Sequence, residues 1–401
     1  MDFNNIKKDF PVLLNNPSLH YLDSAASSLK PKCVIDKIDY YYNNLSCNVH
    51  RGVYDLSYRA TDMYEEARRI IANFINASEE EIVFTRGASQ SLNLVAQSYA
   101  MNFLNKDDEI ITSELEHHSN FMPYLNVCNI KGCKLKFVHL TDEGRITVDE
   151  FKKCLTEKTK LVCLTYVSNV MGYITPIKEI IKLCHERNIL VSVDAAQAVP
   201  HMKIDVRDLD CDFLSFSGHK MCGPTGIGVL YAKKHLLDIM PPVEFGGDMA
   251  DEVSKDSMTY KIAPYKFETG TPIIAGAIGL GEACKYLEKI GLDNIASHEA
   301  KLAKMAIEGL KKIEGVTVYN PTCETGVVTF NIEGVHPHDA ASIYDQRGVC
   351  IRAGHHCAQL VTKWLGQIST TRASFYFYNT EDDVAALLHA VKEARDFFKS
   401  F

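Results

Sequence analysis

Two neighbouring segments, Leu190-Val191-Ser192-Val193-Asp194-Ala195-Ala196-Gln197 and Phe213-Leu214-Ser215-Phe216-Ser217-Gly218-His219-Lys220, share one pattern. Each begins as a short apolar, β-branched or aromatic run and ends in small and polar residues, as a buried strand does where it opens into a loop. Outward from this pair the pattern repeats. Strands are expected at Glu81–Thr85, Glu109–Thr112, Leu135–Leu140, Leu161–Val167, Ile189–Asp194, Asp212–Ser217 and Gly226–Ala232. Amphipathic segments lie between them. In Ile177–Arg187, for example, Ile177, Ile180, Ile181 and Cys184 fall on one helical face. Strand and helix in alternation imply right-handed crossovers and a mostly parallel seven-stranded sheet covered on both faces. Chemistry is then expected in the loops beyond the carboxyl ends of the strands.

After about residue 285 the pattern changes. A long helix is expected over Asn294–Lys312, followed by strands at Val316–Tyr319 and Gly326–Ile332. A terminal helix opens on Thr380 with Asp383 and carries Val384, Leu387, Leu388, Val391, Ala394 and Phe398 at helical spacing. The expectation is a large α/β domain over 16–285 and a smaller α+β domain over 286–401, joined by the N-terminal residues 1–15.

The composition excludes several classes. The chain has 401 residues, 46% apolar and 23% charged, with 18 Phe and 19 Tyr, too much apolar material for a disordered chain. Against 43 basic residues stand 51 acidic ones, and no basic block is present, so no nucleic-acid partner is expected. The longest apolar stretch, Ile273 to Leu280, is far short of the roughly 20 residues that span a bilayer. The segment Met1 to Phe10 lacks an apolar export signal, and a cytoplasmic location is expected. The cysteines number 13, with no C-x-x-C pair, which argues against a disulfide framework. No phosphate-binding P-loop, H-E-x-x-H or G-x-G-x-x-G is present, and Gly223, Gly226 and Gly228 have the wrong spacing for a dinucleotide site. His336-Pro337-His338 and His355-His356-Cys357 do not complete a tetrahedral ligand set, so no metal site is expected.

Asp194 and Lys220 carry the strongest chemical reading. An Asp at the end of an apolar strand needs a cationic partner, and a plain ion pair with Lys220 is one solution. Pyridoxal chemistry is the other: an aldehyde needs an amine, and the ring nitrogen needs an acid to remain protonated as an electron sink. Lys220 would then condense with the aldehyde and Asp194 would hold the pyridinium. Gln197 would reach the ring hydroxyl, and Ser217 and His219 would donate to the phosphate.

The Asp194-Ala195-Ala196-Gln197 segment, with Ser217-Gly218-His219-Lys220 closing 26 residues after Asp194, resembles the class V aminotransferase group of fold type I pyridoxal-phosphate enzymes. In that group the loop matching Arg86-Gly87-Ala88-Ser89 carries the phosphate site, which implicates Ala88 and Ser89. Glu116-His117-His118 is similar to the group's Glu-His, which implies that His117 stacks on the cofactor ring and moves protons. Arg352-Ala353-Gly354-His355-His356-Cys357-Ala358 resembles the signature of the SufS-type, or group II, cysteine desulfurases. Thr371-Arg372-Ala373-Ser374-Phe375 and Tyr378-Asn379-Thr380 are similar to the same family. A thiol on a Gly-containing loop beside histidines and an arginine can be accessible and partly ionised. A guanidinium such as Arg372 can grip a carboxylate in bidentate fashion.

The resemblance spans the chain, from Tyr21-Leu22-Asp23-Ser24-Ala25-Ala26 through Asn48-Val49-His50-Arg51-Gly52, Val167-Ser168-Asn169 and Phe267-Glu268-Thr269-Gly270-Thr271-Pro272. It implies a fold type I enzyme that uses pyridoxal 5′-phosphate to convert L-cysteine to L-alanine, with a persulfide on Cys357 that supplies Fe–S cluster assembly. It further implies Lys220, Cys357 and His117 as catalytic residues and Asn169 beside ring and substrate. Arg372, Arg352 and His50 would meet the substrate, and Thr271 would reach the phosphate of a neighbouring subunit in a homodimer. A SufE-type or zinc-bearing SufU-type acceptor would take the sulfur, with His338 near the thiol mouth. A selenocysteine lyase or another class V pyridoxal enzyme is the alternative. Two departures stand out. Ala88-Ser89-Gln90 replaces the family's Thr-Thr-Glu, removing a side-chain phosphate contact at 88, and Leu360-Val361-Thr362 replaces Pro-Leu-Met after the thiol loop.

Overall fold

A computed structural model describes residues 3–399. Seven strands form the main sheet: β1 (Ile82–Thr85), β2 (Glu109–Ser113), β3 (Lys134–Val138), β4 (Thr159–Thr165), β5 (Leu190–Asp194), β6 (Phe213–Ser217) and β7 (Gly228–Ala232). They lie in the order β1-β7-β6-β5-β4-β2-β3, with β7 antiparallel to both its neighbours and every other pair parallel. This is the mostly parallel α/β sheet expected from the sequence. Alternate residues go to opposite faces. Val191, Val193, Leu214 and Phe216 join one core with Ile177, Ile180, Ile181 and Cys184 of the helix Ile177–His185. Ile110, Leu161 and Phe213 join another with Tyr124 and Val127 of the helix His118–Lys131. Both faces are covered, so the polar groups that end the strands have only the carboxyl edge to emerge from.

A second sheet contains β8 (Val316–Val318), β9 (Val327–Ile332), β10 (Arg352–Gly354) and β11 (Thr370–Ser374), in the antiparallel order β8-β9-β11-β10. Its apolar face packs Val328, Phe330 and Ala373 against Leu302, Ala306 and Leu310 of the helix Leu292–Leu310. Leu387 and Val391 of the terminal helix Glu381–Lys399 complete that core. At the start of the terminal helix, Asp383 accepts from the Thr380 N–H at 2.7 Å, one half of the expected box; Thr380 Oγ1 donates to the same carboxylate and the Asp383 N–H goes to the Thr380 carbonyl. The helix Ile274–Ile290 runs across position 285 and ends at Gly291, whose φ of 88° opens the turn into Leu292–Leu310. Among the described residues no helix is long and apolar enough to cross a membrane.

The second sheet is fixed to the loop after β4 rather than hinged freely above it. Asn320 Nδ2 donates to the Met171 carbonyl at 2.9 Å, Thr329 Oγ1 to Val170 at 2.5 Å and Arg372 Nη1 to Asn169 at 2.9 Å. The carboxyl edge of the large sheet and the edge strand β10 therefore face each other across a narrow cleft.

Candidate active site

Lys220 and Asp194 stand in this cleft, each where its strand ends. Asp194 is the last residue of β5 and only 4% exposed. One of its oxygens accepts from the Ala196 N–H at 3.0 Å. Lys220 closes the short turn Gly218–Lys220 after β6. Among the described residues its ammonium has no hydrogen-bond or ion-pair partner, so the plain Asp194–Lys220 pair is not formed. Burial pushes the Lys220 amine down to about 8, with Asp194 opposing, and burial raises the Asp194 carboxyl. An amine and an acid thus line one cavity without neutralising each other directly.

Around them the cavity gathers Ala25, Ala26, Ala88, Ser89, His117, Asn169, Ser217, His219, Arg352, His356, Cys357 and Arg372. Ala88 and Ser89 open the helix Ala88–Leu94 directly after β1. The Ala88 N–H is held by Ser217 Oγ at 2.8 Å, and Ser89 Oγ meets Ser119 Oγ at 2.7 Å. This approach depends on glycine at 228: a Cβ there would lie 2.4 Å from the Gly87 Cα. Gln197 is buried beside the cavity, with Nε2 donating to the Ala25 carbonyl at 2.8 Å and Oε1 unpartnered among the described residues.

His117 caps the helix His118–Lys131, accepting from the Ser119 N–H at its Nδ1 at 3.2 Å. Its proton then belongs on Nε2. Burial, aided by the nearby Lys220 charge, pushes its imidazolium down to about 3 and leaves a neutral ring. Glu116 before it is wholly buried and accepts from Ser113 Oγ at 2.6 Å and Asn120 Nδ2 at 2.5 Å. Burial raises its carboxyl to about 8, so at neutral pH it is protonated.

Cys357 sits on the rim, exposed, with φ of 54°; His356 before it has φ of 53°. Two successive non-glycine residues in the left-handed region mark a loop held by its surroundings. The His118 N–H donates to the Cys357 carbonyl at 2.8 Å, and the Gln359 N–H donates to His118 Nε2 at 3.1 Å. Asn169 Nδ2 holds the His356 carbonyl at 2.8 Å. Of the atypical residues, Val361 and Thr362 are buried in the helix Gln359–Trp364, and Thr362 Oγ1 lies 3.3 Å from His355 Nδ1.

Arg372, on β11, is 1% exposed. Its Nη2 donates to Asp23 Oδ1 at 3.0 Å, while its Nε has no partner among the described residues. Arg352 on β10 stands opposite it in register and also lines the cavity. Lys220, Arg352 and Arg372 together supply positive charge that Asp194 and Asp23 do not fully balance, a cavity suited to an anionic ligand. The unpartnered Gln197 Oε1 and Arg372 Nε, with the unpaired amine and acid, fit a pyridoxal phosphate carrying an amino-acid carboxylate.

Two expected residues lie elsewhere. His50 contacts Glu65 at 2.8 Å and Asp248 at 3.5 Å, which hold its imidazole above the ordinary range. Thr271 lines a separate groove with Arg86, Gln90 and Glu244. Asp23, bonded to Arg372, and Glu116, buried next to His117, support the site without being singled out by the sequence, and His356 lines the cavity itself. Each stands inside a motif whose neighbour carries the recognisable chemistry.

A model of the aminotransferase class-V family matches residues 20–387. The chain belongs to this family. It is 52% identical over 402 residues to a "Probable cysteine desulfurase" of Halalkalibacterium halodurans, covering 99% of each. Among solved structures, the cysteine desulfurase CsdA of Escherichia coli in its S-sulfonic acid form superposes with a TM-score of 0.93. Its identity is 39%, over 99% of both chains. An apo cysteine desulfurase from Thermococcus onnurineus gives 0.94 and 42%, over 98% of both. As a class V enzyme the protein takes pyridoxal 5′-phosphate as its cofactor, and the fold is of type I.

Proposed function

We infer that this class V enzyme is a cysteine desulfurase that moves the sulfur of L-cysteine onto Cys357 and releases alanine. The observation that carries this reading is an unpaired amine and a buried acid sharing one cavity, with an exposed thiol on its rim. Phosphate would be held by the Ala88–Ser89 turn, Ser217 and His219, and the ring by Asp194, Gln197 and His117. Bound there, pyridoxal phosphate supplies an aldehyde for the substrate amine and a ring that accepts the electron pair released at Cα.

Asp194 keeps a proton at the ring nitrogen. Lys220, whose burial favours the neutral amine, takes the α-proton of the substrate. Arg372, with Arg352 beside it, grips the carboxylate, and Asn169 fixes Arg372 and the thiol loop together. The Cys357 thiolate then attacks the substrate sulfur. An S–S bond forms, the substrate C–S bond breaks, and its electron pair stays on the carbon fragment, which is protonated to alanine. His117, neutral with its proton on Nε2, would move protons to and from the bound substrate.

The finer assignment is to the SufS type, in the cytoplasm, serving Fe–S cluster assembly. It rests on the Arg352–Cys357 motif. We divide the chain at 16–285 and 286–401, with residues 1–15 joined to the smaller part, near the break at Gly291. His50 and Thr271, which lie away from the Lys220 cavity, would complete the site of a second subunit in a homodimer. A SufE-type or SufU-type acceptor would collect the sulfur. A Cβ added at Gly354 would lie 3.7 Å from His338 Nε2, and this nearness to the end of β10 supports a contact between His338 and a zinc-bearing acceptor. Sulfur transfer to such an acceptor should fall in His338→Ala.

The testing experiment is the visible spectrum of the purified holoenzyme on adding L-cysteine under reductant, with alanine and sulfide measured. A spectral change with both products is expected. A cofactor band indifferent to cysteine would overturn the substrate. In Cys357→Ala, desulfuration should collapse while the spectral response to amino acids remains.

A further inference from the structure

The segment Tyr21-Leu22-Asp23-Ser24-Ala25-Ala26 is woven into the smaller sheet. The strand His20–Tyr21 pairs in parallel with Val349–Cys350. The Ser374 N–H donates to the Leu22 carbonyl at 2.7 Å, Ser374 Oγ accepts from the Ala25 N–H at 2.9 Å, and Asn379 Nδ2 holds the Tyr21 carbonyl at 2.9 Å. Leu22 is wholly buried in the core of that sheet, and Ala25 and Ala26 line the cofactor cavity. A segment fixed on both sides delivers the Asp23 carboxylate to one place, the buried guanidinium of Arg372.

We propose that Asp23 is a positioning residue that sets the grip of Arg372 on the substrate α-carboxylate, and with it the enzyme's selectivity for α-amino acids over simple amines. Two hydrogen bonds pin the guanidinium: Nη1 to the Asn169 carbonyl at 2.9 Å and Nη2 to Asp23 Oδ1 at 3.0 Å. Nε is buried and, among the described residues, without a partner, and Nη2 keeps a second hydrogen. Those two donors form the side-on edge of a guanidinium, the edge that takes a carboxylate in parallel bonds. A planar fork fixed at two corners presents that edge in one orientation only, and the ordering cost falls on the fold rather than on the ligand. The charges agree. Arg352 stands opposite Arg372 in register, and two guanidiniums less one Asp23 carboxylate leave one net positive charge for one carboxylate. Without Asp23 the fork would lose a corner.

The inference rests on Arg372 as the carboxylate site, and the test separates the two. Binding of L-alanine and of ethylamine, the same molecule without its carboxylate, is followed by the visible spectrum of the bound cofactor. Asp23→Ala should weaken L-alanine about tenfold, the scale of a lost hydrogen bond to a charged group, and leave ethylamine unchanged. Asp23→Asn, which keeps the accepting oxygen, should recover most of the loss. Equal weakening of both ligands would reduce Asp23 to a structural strap and overturn the proposal, as would unchanged or tighter L-alanine. Arg372→Leu should weaken L-alanine further and spare ethylamine. If instead that variant leaves the ratio of the two ligands untouched, the carboxylate reading of Arg372 fails, and the proposal with it.

Discussion

The two nucleophiles of the site are built in opposite ways. Lys220 ends a buried strand in the large sheet, and its reactivity comes from burial, which favours the free amine. Cys357 sits on an exposed loop in left-handed backbone conformation, and its reactivity comes from access. In the proposed desulfuration the amine would act repeatedly inside the cavity, and the thiol would meet both a substrate within and an acceptor outside. One is tuned by its environment and the other by its mounting.

Variants can break this contrast, and the largest effect falls on the amine. Lys220→Ala should lower alanine formation about a thousandfold or more, because the α-proton loses its acceptor. Cys357→Ala should lower desulfuration about a hundredfold or more yet keep the spectral response to amino acids, separating binding from sulfur transfer. In the cofactor-free protein, amine labelling followed by peptide mapping should find Lys220 reactive with a midpoint near pH 8. At that pH an ordinary lysine is about a hundredfold less deprotonated.

Smaller effects sharpen the contrast by testing the frame. Gly228→Ala forces a methyl against Gly87, and the cost of overpacking, about 1–3 kcal/mol, should appear as a lower Tm together with weaker cofactor retention. Glu116 tests burial on an acid. Its carboxyl is raised to about 8 in the fold and titrates near 4.5 when unfolded, so between these values the folded state holds the extra proton and stability falls as pH rises. Glu116→Gln should flatten the decline of Tm from pH 5 to 8. An unchanged slope would mean that Glu116 is ionised in the fold.

The large sheet is readable because all its strands but the edge strand Lys134–Val138 are runs buried on both faces; the expected strands exceed Phe213–Ser217 by one residue and Gly228–Ala232 by two. The extra residues, Asp212, Gly226 and Ile227, stand at strand ends, where hydrogen bonding rather than composition sets the limit. The strands Arg352–Gly354 and Thr370–Ser374 were not read as strands. The first is three residues with a glycine and no alternation, and pairing with its neighbour makes it a strand. Lys220, Asp194 and Cys357 were legible as chemistry because amine, acid and thiol are unusual where they stand. Asp23 was not, since its partner lies 349 residues away along the chain.

That separation has a temporal side. The large sheet's share of the Lys220 cavity is present once β1 to β7 have been synthesised, but Arg352, Cys357 and Arg372 come later, and the carboxylate grip joins the twenty-third residue to the three hundred and seventy-second. Contacts of such span close late, after the loop entropy between them has been spent. A nascent chain with its large sheet already formed owns an amine and an acid but no fork to read a carboxylate. Selectivity for amino acids is therefore among the last properties the growing polypeptide acquires.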